Sequence, residues 1–77
     1  MKKKNIVGAR IRKARLDAKP PITQSDLVAR LQLHGLKNID QPIVSRIEKG
    51  ERIVADYEIK AIAKALKVTV GWLLKEK

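Results

Sequence analysis

The chain has 77 residues, no cysteine and one histidine, which argues for one small domain without disulfides or a Cys- or His-rich metal site. Its net charge of +10, from 18 Lys and Arg against 8 Asp and Glu, predicts an anionic partner such as nucleic acid or a membrane surface. Aromatic residues make up only 3%, so Leu, Ile, Val and Ala must fill the core, which favours packed helices over a sheet.

The first residues of the chain are basic. We interpret residues 1–5 as a mobile, solvated tail and residues 6–77 as one domain. No apolar run approaches the roughly 20 residues of a membrane span, and no signal-peptide apolar segment follows the lysines. We therefore expect a cytoplasmic protein.

Apolar spacing and helix breakers predict the first two helices. An apolar stripe with helical spacing runs through residues 6–18 and stops before a Pro-Pro pair, since proline disfavours helical geometry in the preceding residue. Thr23 and Asp26 form a capping-box pattern that starts a second helix. That helix runs through Leu33 to a stop near Gly35.

The pattern of residues 41–49 predicts a third helix that is short, capped and amphipathic. Asp40 is placed to accept hydrogen bonds from the first free N–H groups, and Gly50 tolerates the positive φ of a helix end. Val44 and Ile47, three residues apart, form an apolar edge that faces inward, while polar and cationic groups occupy the other faces.

Two further helices complete an all-α prediction of five helices without a sheet. The fourth begins at Asp56 and keeps one face apolar through Leu66, with acidic residues at its start and lysines near its end, as the helix dipole favours. Thr69 caps a short last helix from Val70 to about Lys75.

Four stretches, in this order, resemble the Cro/repressor helix-turn-helix family, often called XRE-type. They are Val7-Gly-Ala-Arg-Ile-Arg-Lys-Ala-Arg15, Thr23-Gln-Ser-Asp-Leu27, Val44-Ser-Arg-Ile-Glu-Lys-Gly50, and Ala61-Ile-Ala-Lys-Ala-Leu-Lys-Val-Thr-Val70 with Trp72-Leu-Leu74. The resemblance implies a compact five-helix bundle of the lambda-repressor-like DNA-binding type, with the helix-turn-helix formed by helices two and three. Two features depart from the family: the Pro-Pro pair, and a longer connection between helices two and three at about residues 32–38.

The third helix carries the side chains that we predict to read bases in the major groove. Gln41, Ser45 and Arg46 reach base edges if the start of the helix enters the groove. Arg46 can donate two hydrogen bonds to guanine, and Gln41 can pair with adenine. Ile43, on the outward side, contacts either a thymine methyl or the longer loop, and Pro42 contributes shape.

Phosphate contacts position such a domain without reading sequence. Gln24, in the first turn of helix two, resembles the family residue that donates to a phosphate and braces the glutamine opening helix three; the alternative is an ordinary surface glutamine. The other candidate phosphate contacts are Lys13, Lys49 and Arg52, together with Lys37 and Asn38 if the longer loop reaches the DNA backbone instead of lying in solvent.

Two further sets of residues have structural roles in this interpretation. In the family, an arginine and a glutamate that match Arg15 and Glu48 pair beneath the DNA-facing surface. Val70, Trp72 and Leu73 in the last helix either fill the core or form a dimer interface, and the resemblance favours a homodimer.

The sequence thus predicts a sequence-specific, double-stranded DNA-binding transcriptional regulator, a repressor that acts as a dimer on a near-palindromic operator and needs no cofactor or metal. The main alternative is an antitoxin, or another protein-interaction module with autoregulatory DNA binding. A restriction-modification controller fits the size equally well, and a membrane-surface peptide fits the charge of the first helix. An enzyme is not expected, since the sequence has no nucleophile–base pair, Gly-rich phosphate loop or metal cluster.

Overall fold

The computed structural model describes residues 2–75, which form five α-helices. In chain order they are α1 (Gly8–Asp17), α2 (Gln24–Leu33), α3 (Gln41–Glu48), α4 (Asp56–Leu66) and α5 (Val70–Leu73). No β-strand occurs in residues 2–75, and the predicted all-α fold of five helices is confirmed. Met1 of the predicted tail and residues 76–77 of the predicted domain lie outside the described range.

Side-chain caps begin three of the helices where the sequence predicts them. Thr23 Oγ1 accepts from the Asp26 N–H at 3.0 Å, and the Asp26 carboxylate accepts from the Thr23 N–H at 3.3 Å, which completes the capping box of α2. Asp40 before α3 and Thr69 before α5 each accept from the N–H three residues further on, both at 3.0 Å. Each cap satisfies backbone donors that a helix start leaves without an intrahelical partner.

The first helix begins two residues later than predicted, because Asn5 hydrogen-bonds to the backbone at its start. Asn5 Oδ1 accepts from the N–H groups of Val7 at 3.1 Å and Gly8 at 2.8 Å. The Lys4 N–H donates to the Gly50 carbonyl at 2.8 Å. Two residues that the sequence assigns to a mobile tail are thus hydrogen-bonded into the fold.

One aliphatic core lies where α1 to α4 meet and is closed at one end by α5. Its fully buried large side chains are Val7, Ile11, Leu27, Leu31, Val44, Ile47, Ile62 and Leu73. Leu33 is 86% exposed, because it lies two residues after the inward-facing Leu31 and therefore on the opposite side of α2.

The loop between α2 and α3, residues 34–40, is longer than a tight turn but is anchored at both ends. Gly35 adopts a φ of 96°, which a residue without a Cβ reaches at no steric cost. The Leu36 N–H donates to the Leu31 carbonyl at 3.0 Å, and Leu36 packs partly on the core. Ile39 is buried just before α3, so the apolar residues of the loop set where that helix begins.

Candidate functional site

The solvent-facing side of α3 carries the polar residues that the sequence singled out. Gln41, Pro42 and Arg46 are exposed, and Ser45 is half-buried between them and the core. The opposite side of the helix buries Val44 and Ile47 in the core, and this apolar contact holds α3 on α1 and α2. The helix therefore presents a polar face to solvent from a fixed position.

A buried ion pair lies beneath α3. Arg15 Nε donates to Glu48 Oε2 at 2.8 Å and Arg15 Nη2 donates to Glu48 Oε1 at 2.9 Å, while Nη1 donates to the Ile22 carbonyl at 2.9 Å. The two side chains are only 9% and 3% exposed. The hydrogen bond to Glu48 raises the pKa of the Arg15 guanidinium, so the guanidinium stays positively charged. The pair links α1 to the end of α3.

Hydrogen bonds continue from this pair to the surface at the start of α3. Gln24 Nε2 donates to Glu48 Oε1 at 3.1 Å, and Gln24 Oε1 accepts from Gln41 Nε2 at 3.4 Å. Gln41 Oε1 accepts from Ser25 Oγ at 3.3 Å. The structure thus places Gln24 against Gln41, and the side chain that opens α3 is connected through α2 to the buried ion pair.

Ile43 lies elsewhere than the sequence suggested. It is half-buried and packs against the core, so its apolar character has a structural reason that does not require DNA. The sequence interpretation placed it on the outward side because Val44 and Ile47 alone were assigned to the inward edge.

The model of one protein family, described as helix-turn-helix, matches residues 11–73. The chain belongs to the Cro/repressor (XRE-type) helix-turn-helix family. It is a DNA-binding domain of the transcription-regulator type, in which α2 and α3 form the helix-turn-helix. No curated protein and no solved structure gave a significant match.

Four of the predicted phosphate contacts of the helix-turn-helix domain have exposed side chains. Lys49, Lys37 and Asn38 are exposed. Lys13 is also exposed, although its Nζ lies 3.1 Å from an Asp17 carboxylate oxygen one turn along α1. These four side chains remain accessible to a ligand on the surface.

Arg52 has a different environment from the one that the sequence predicts. Its Nη1 and Nη2 donate to the two carboxylate oxygens of Glu58 at 3.1 and 3.0 Å, and Nη1 also donates to the Ile53 carbonyl at 3.1 Å. The side chain is 33% exposed. The ion pair with Glu58 gives Arg52 a structural role in the α3–α4 connection, and its phosphate contact stays a prediction.

Glu58 also stabilises the start of α4. Its Oε1 accepts from the Ala55 N–H at 2.9 Å. Burial acts to raise the pKa of the Glu58 carboxyl, but hydrogen bonds from Arg52 and the Ala55 N–H and the positive charge of Arg52 together lower it below its ordinary value. Glu58 therefore stays ionised at neutral pH.

The residues expected at a dimer interface of the helix-turn-helix domain are not equally accessible. Leu73 is fully buried and is a core residue, so it has no surface with which to contact a second copy. Trp72 is half-buried beneath Arg10, whose guanidinium carbon lies 3.9 Å from the ring centroid. Val70 is half-buried and lines an open groove between α4 and α5, together with Tyr57 and other side chains.

The sequence does not predict the hydrogen-bonding roles of three residues. Asn5 and Glu58 had a detectable signal, since Asn is a common capping residue ahead of a helix and Glu three residues into a helix start belongs to the capping-box pattern. Arg10 had none: its Nε and Nη2 donate to the Trp72 carbonyl at 2.9 and 2.7 Å, a contact between residues 62 positions apart.

Metal sites and membrane-spanning helices are features of other protein classes. Among residues 2–75, no group of three or more His, Cys, Asp or Glu side chains comes together in a way that could hold a metal ion. No helix in the same range is long and apolar enough to cross a membrane.

Proposed function

We propose that the chain is a sequence-specific, double-stranded DNA-binding transcriptional regulator, a repressor that acts as a homodimer and reads the major groove with α3. The observation that carries this proposal is a chain of hydrogen bonds that links the exposed polar face of α3 to a buried ion pair. Gln41, which opens α3, is hydrogen-bonded through Gln24 to Glu48, and Glu48 is paired with Arg15. Side chains held in this way lose little freedom on binding, which favours discrimination between sequences.

Base reading in this proposal depends on Arg46 and Gln41. An exposed guanidinium can donate two parallel hydrogen bonds to guanine O6 and N7, and an exposed amide can pair with adenine N6 and N7. Each such pair discriminates against a wrong base by about 1–3 kcal/mol. Ser45 adds a hydroxyl on the same face, whereas Pro42 and Ile43 contribute shape at the start of the helix.

Phosphate contacts in this proposal come from the exposed cations and amides around α3. Lys49 lies at the end of α3, Lys37 and Asn38 lie in the loop before it, and Gln24 and Lys13 lie on α2 and α1. The net charge of +10 favours association with an anionic duplex and predicts affinity that falls steeply with salt. Repression requires only that bound protein occupy promoter DNA.

The homodimer in this proposal uses the groove between α4 and α5. Its lining includes Tyr57, Ile59, Val70 and Leu74, of which Tyr57 is 63% exposed. A symmetric dimer that reads two successive major grooves must place its α3 helices about one DNA turn apart, about 34–36 Å, so that they contact two half-sites on one face of the duplex.

The test begins with selection of bound duplexes from a pool with a randomised central segment. Fluorescence anisotropy at several salt concentrations then compares the selected duplex with a shuffled duplex of equal composition. We expect the selected duplex to bind at least ~10³-fold more tightly, while both weaken as salt rises. Equal affinity for the two duplexes at every salt concentration would contradict sequence reading and redirect attention to a protein partner.

A further inference from the structure

The side chain of Asn5 uses all of its hydrogen-bonding capacity to join two helix ends. Its Nδ2 donates to the carbonyls of Ile47 at 3.1 Å and Arg52 at 2.8 Å. Its Oδ1 accepts from the N–H groups of Val7 and Gly8. An amide has two N–H donors and two lone pairs on its oxygen, so this side chain has no capacity left for another partner.

The hydrogen-bond partners of Asn5 lie at three different places in the fold. Val7 and Gly8 form the start of α1, Ile47 is in the last turn of α3, and Arg52 belongs to the connection that follows. The last carbonyls of a helix have no intrahelical partner and carry partial negative charge, whereas the first N–H groups carry partial positive charge. Asn5 satisfies both kinds of group with one side chain.

The start of α1 and the end of α3 also touch directly. A Cβ added to Gly8 would lie 2.2 Å from the Ile47 carbonyl oxygen and 2.9 Å from that of Glu48, and both atoms belong to the backbone. Only glycine permits this approach, because no flexible side chain is available to move aside. The contact leaves α3 little freedom to slide relative to α1 while the Asn5 hydrogen bonds persist.

The start of α3 is held from the α2 side, where Gln24 and Ser25 bond to Gln41. Its last turn is held from the α1 side at two places. Arg15 of α1 pairs with Glu48, and Asn5, just ahead of α1, donates to the Ile47 carbonyl. The exposed Lys49 follows immediately after this end.

We propose that Asn5 is a positioning residue for sequence reading: it fixes the end of α3 against α1 and so sets the position from which Arg46 meets a base. This inference rests on the proposed function. Asn5 touches no base in this account. Because non-specific binding depends on charge and not on the exact position of α3, loss of Asn5 should reduce binding to the selected duplex more than binding to the shuffled one.

Two substitutions separate the roles of the Asn5 amide. Asn5→Ala removes every hydrogen bond of the side chain. Asn5→Asp keeps an oxygen to accept from the start of α1, where negative charge is favourable, but removes the donors to α3 and the connection. Ile62→Val is the control, since it deletes one methylene from a buried position on α4 and lowers stability while the Asn5 side chain and its hydrogen-bond partners are unchanged.

The first measurement is the ratio of affinities for the selected and shuffled duplexes, at a temperature where circular dichroism finds every variant folded. We expect Asn5→Ala and Asn5→Asp to lower this ratio about tenfold, comparable to loss of one base contact, and Ile62→Val to leave it within about twofold. An unchanged ratio in both folded Asn5 variants would overturn the proposal.

The second measurement needs no DNA. The Gly50 and Glu51 N–H groups bond to the carbonyls of Ile47 and Arg46 at 3.0 and 2.8 Å, so their hydrogen exchange reports the end of α3. Relative to the Leu31 N–H in α2, we expect exchange at these two amides to quicken about tenfold in the Asn5 variants and not in Ile62→Val. If wild-type protein fails to discriminate duplexes, the proposed function fails, and unchanged exchange would separately refute positioning by Asn5.

Discussion

Arg15 and Glu48 are joined by two hydrogen bonds inside the domain, where both side chains are largely shielded from solvent. Glu48→Ala would leave a buried guanidinium without its counter-charge, which typically costs about 3–5 kcal/mol of unfolding free energy. Arg46→Ala removes an exposed side chain and should change that free energy by less than about 0.5 kcal/mol. Urea denaturation of both variants measures the difference. Equal losses of stability would contradict the separation between a supporting and a reading residue.

The Glu58 carboxyl makes the unfolding free energy of the domain depend on pH. Its pKa is lowered in the folded protein, so in the unfolded chain the carboxylate takes up a proton at higher pH. The stabilisation is therefore complete above the ordinary pKa of 4.5 and is lost as pH falls through the lowered, folded value.

The variant Glu58→Gln tests this dependence. At neutral pH it should be less stable than the wild type, because Arg52 loses its charged partner. Below about pH 4.5 the difference between the two proteins should shrink as the wild-type carboxyl is protonated. Urea titrations at a series of pH values measure it. A difference that stays constant down to about pH 3 would contradict the assigned cause.

The sequence predicts the roles of some residues and not of others. The caps Thr23, Asp40 and Thr69 were predicted correctly, because each bonds within three residues and leaves a local pattern. The partners of Arg10 and Arg52 were not, since a charged residue on a basic chain has the same local pattern whether it meets solvent, phosphate or a protein group. Only the fold decides between these environments.

Among the helices, α5 has only four residues and depends on contacts with the rest of the chain for its stability. Its attachments are the Thr69 cap, the buried Leu73 and the contact of Arg10 with Trp72, which combines a cation over the ring with two hydrogen bonds to the carbonyl. Arg10 therefore holds α5 against α1.

Arg10→Ala should loosen this attachment. We expect a loss of about 1–2 kcal/mol of unfolding free energy, because the two charge-assisted hydrogen bonds to the Trp72 carbonyl and the cation–π contact all disappear. Emission from Trp72, the one tryptophan of the chain, should shift to longer wavelength and become more accessible to a soluble quencher. Arg12→Ala, an exposed neighbour on α1, is the control. The same emission and quenching in both variants would contradict this role.

The helices themselves were predicted more reliably than the segments between them. Strong apolar periodicity located α2 and α4, whereas α1 was placed two residues early because Asn5 acts from outside the periodic segment. The path of the α2–α3 loop depends on burial of Ile39 and partial burial of Leu36, which are long-range contacts that no local pattern contains.

The proposed dimer can be tested without DNA. Tyr57→Glu places a charge in the groove between α4 and α5, where a second copy would have to bury it, and the exposed position keeps the fold intact. We expect sedimentation velocity to find dimer for the wild type and monomer for this variant. Lys64→Glu, an exposed change on the same helix outside the groove, should stay dimeric. A wild type that is monomeric at every concentration, with or without DNA, would refute the homodimer.

For the molecule as a whole, the central claim is that α3 reads base sequence while the surrounding cations position it. The most direct test titrates wild type, Arg46→Ala and Lys49→Ala against every single-base substitution of the selected duplex. The wild type should prefer one base pair at some position by about 5- to 150-fold, equivalent to 1–3 kcal/mol, and Arg46→Ala should lose that preference while keeping the others. Lys49→Ala should lower the affinity for all duplexes alike. It should also reduce the slope of log affinity against log salt concentration by about one, as expected for the loss of one phosphate contact. If Arg46→Ala retains every base preference of the wild type, α3 does not read DNA as described.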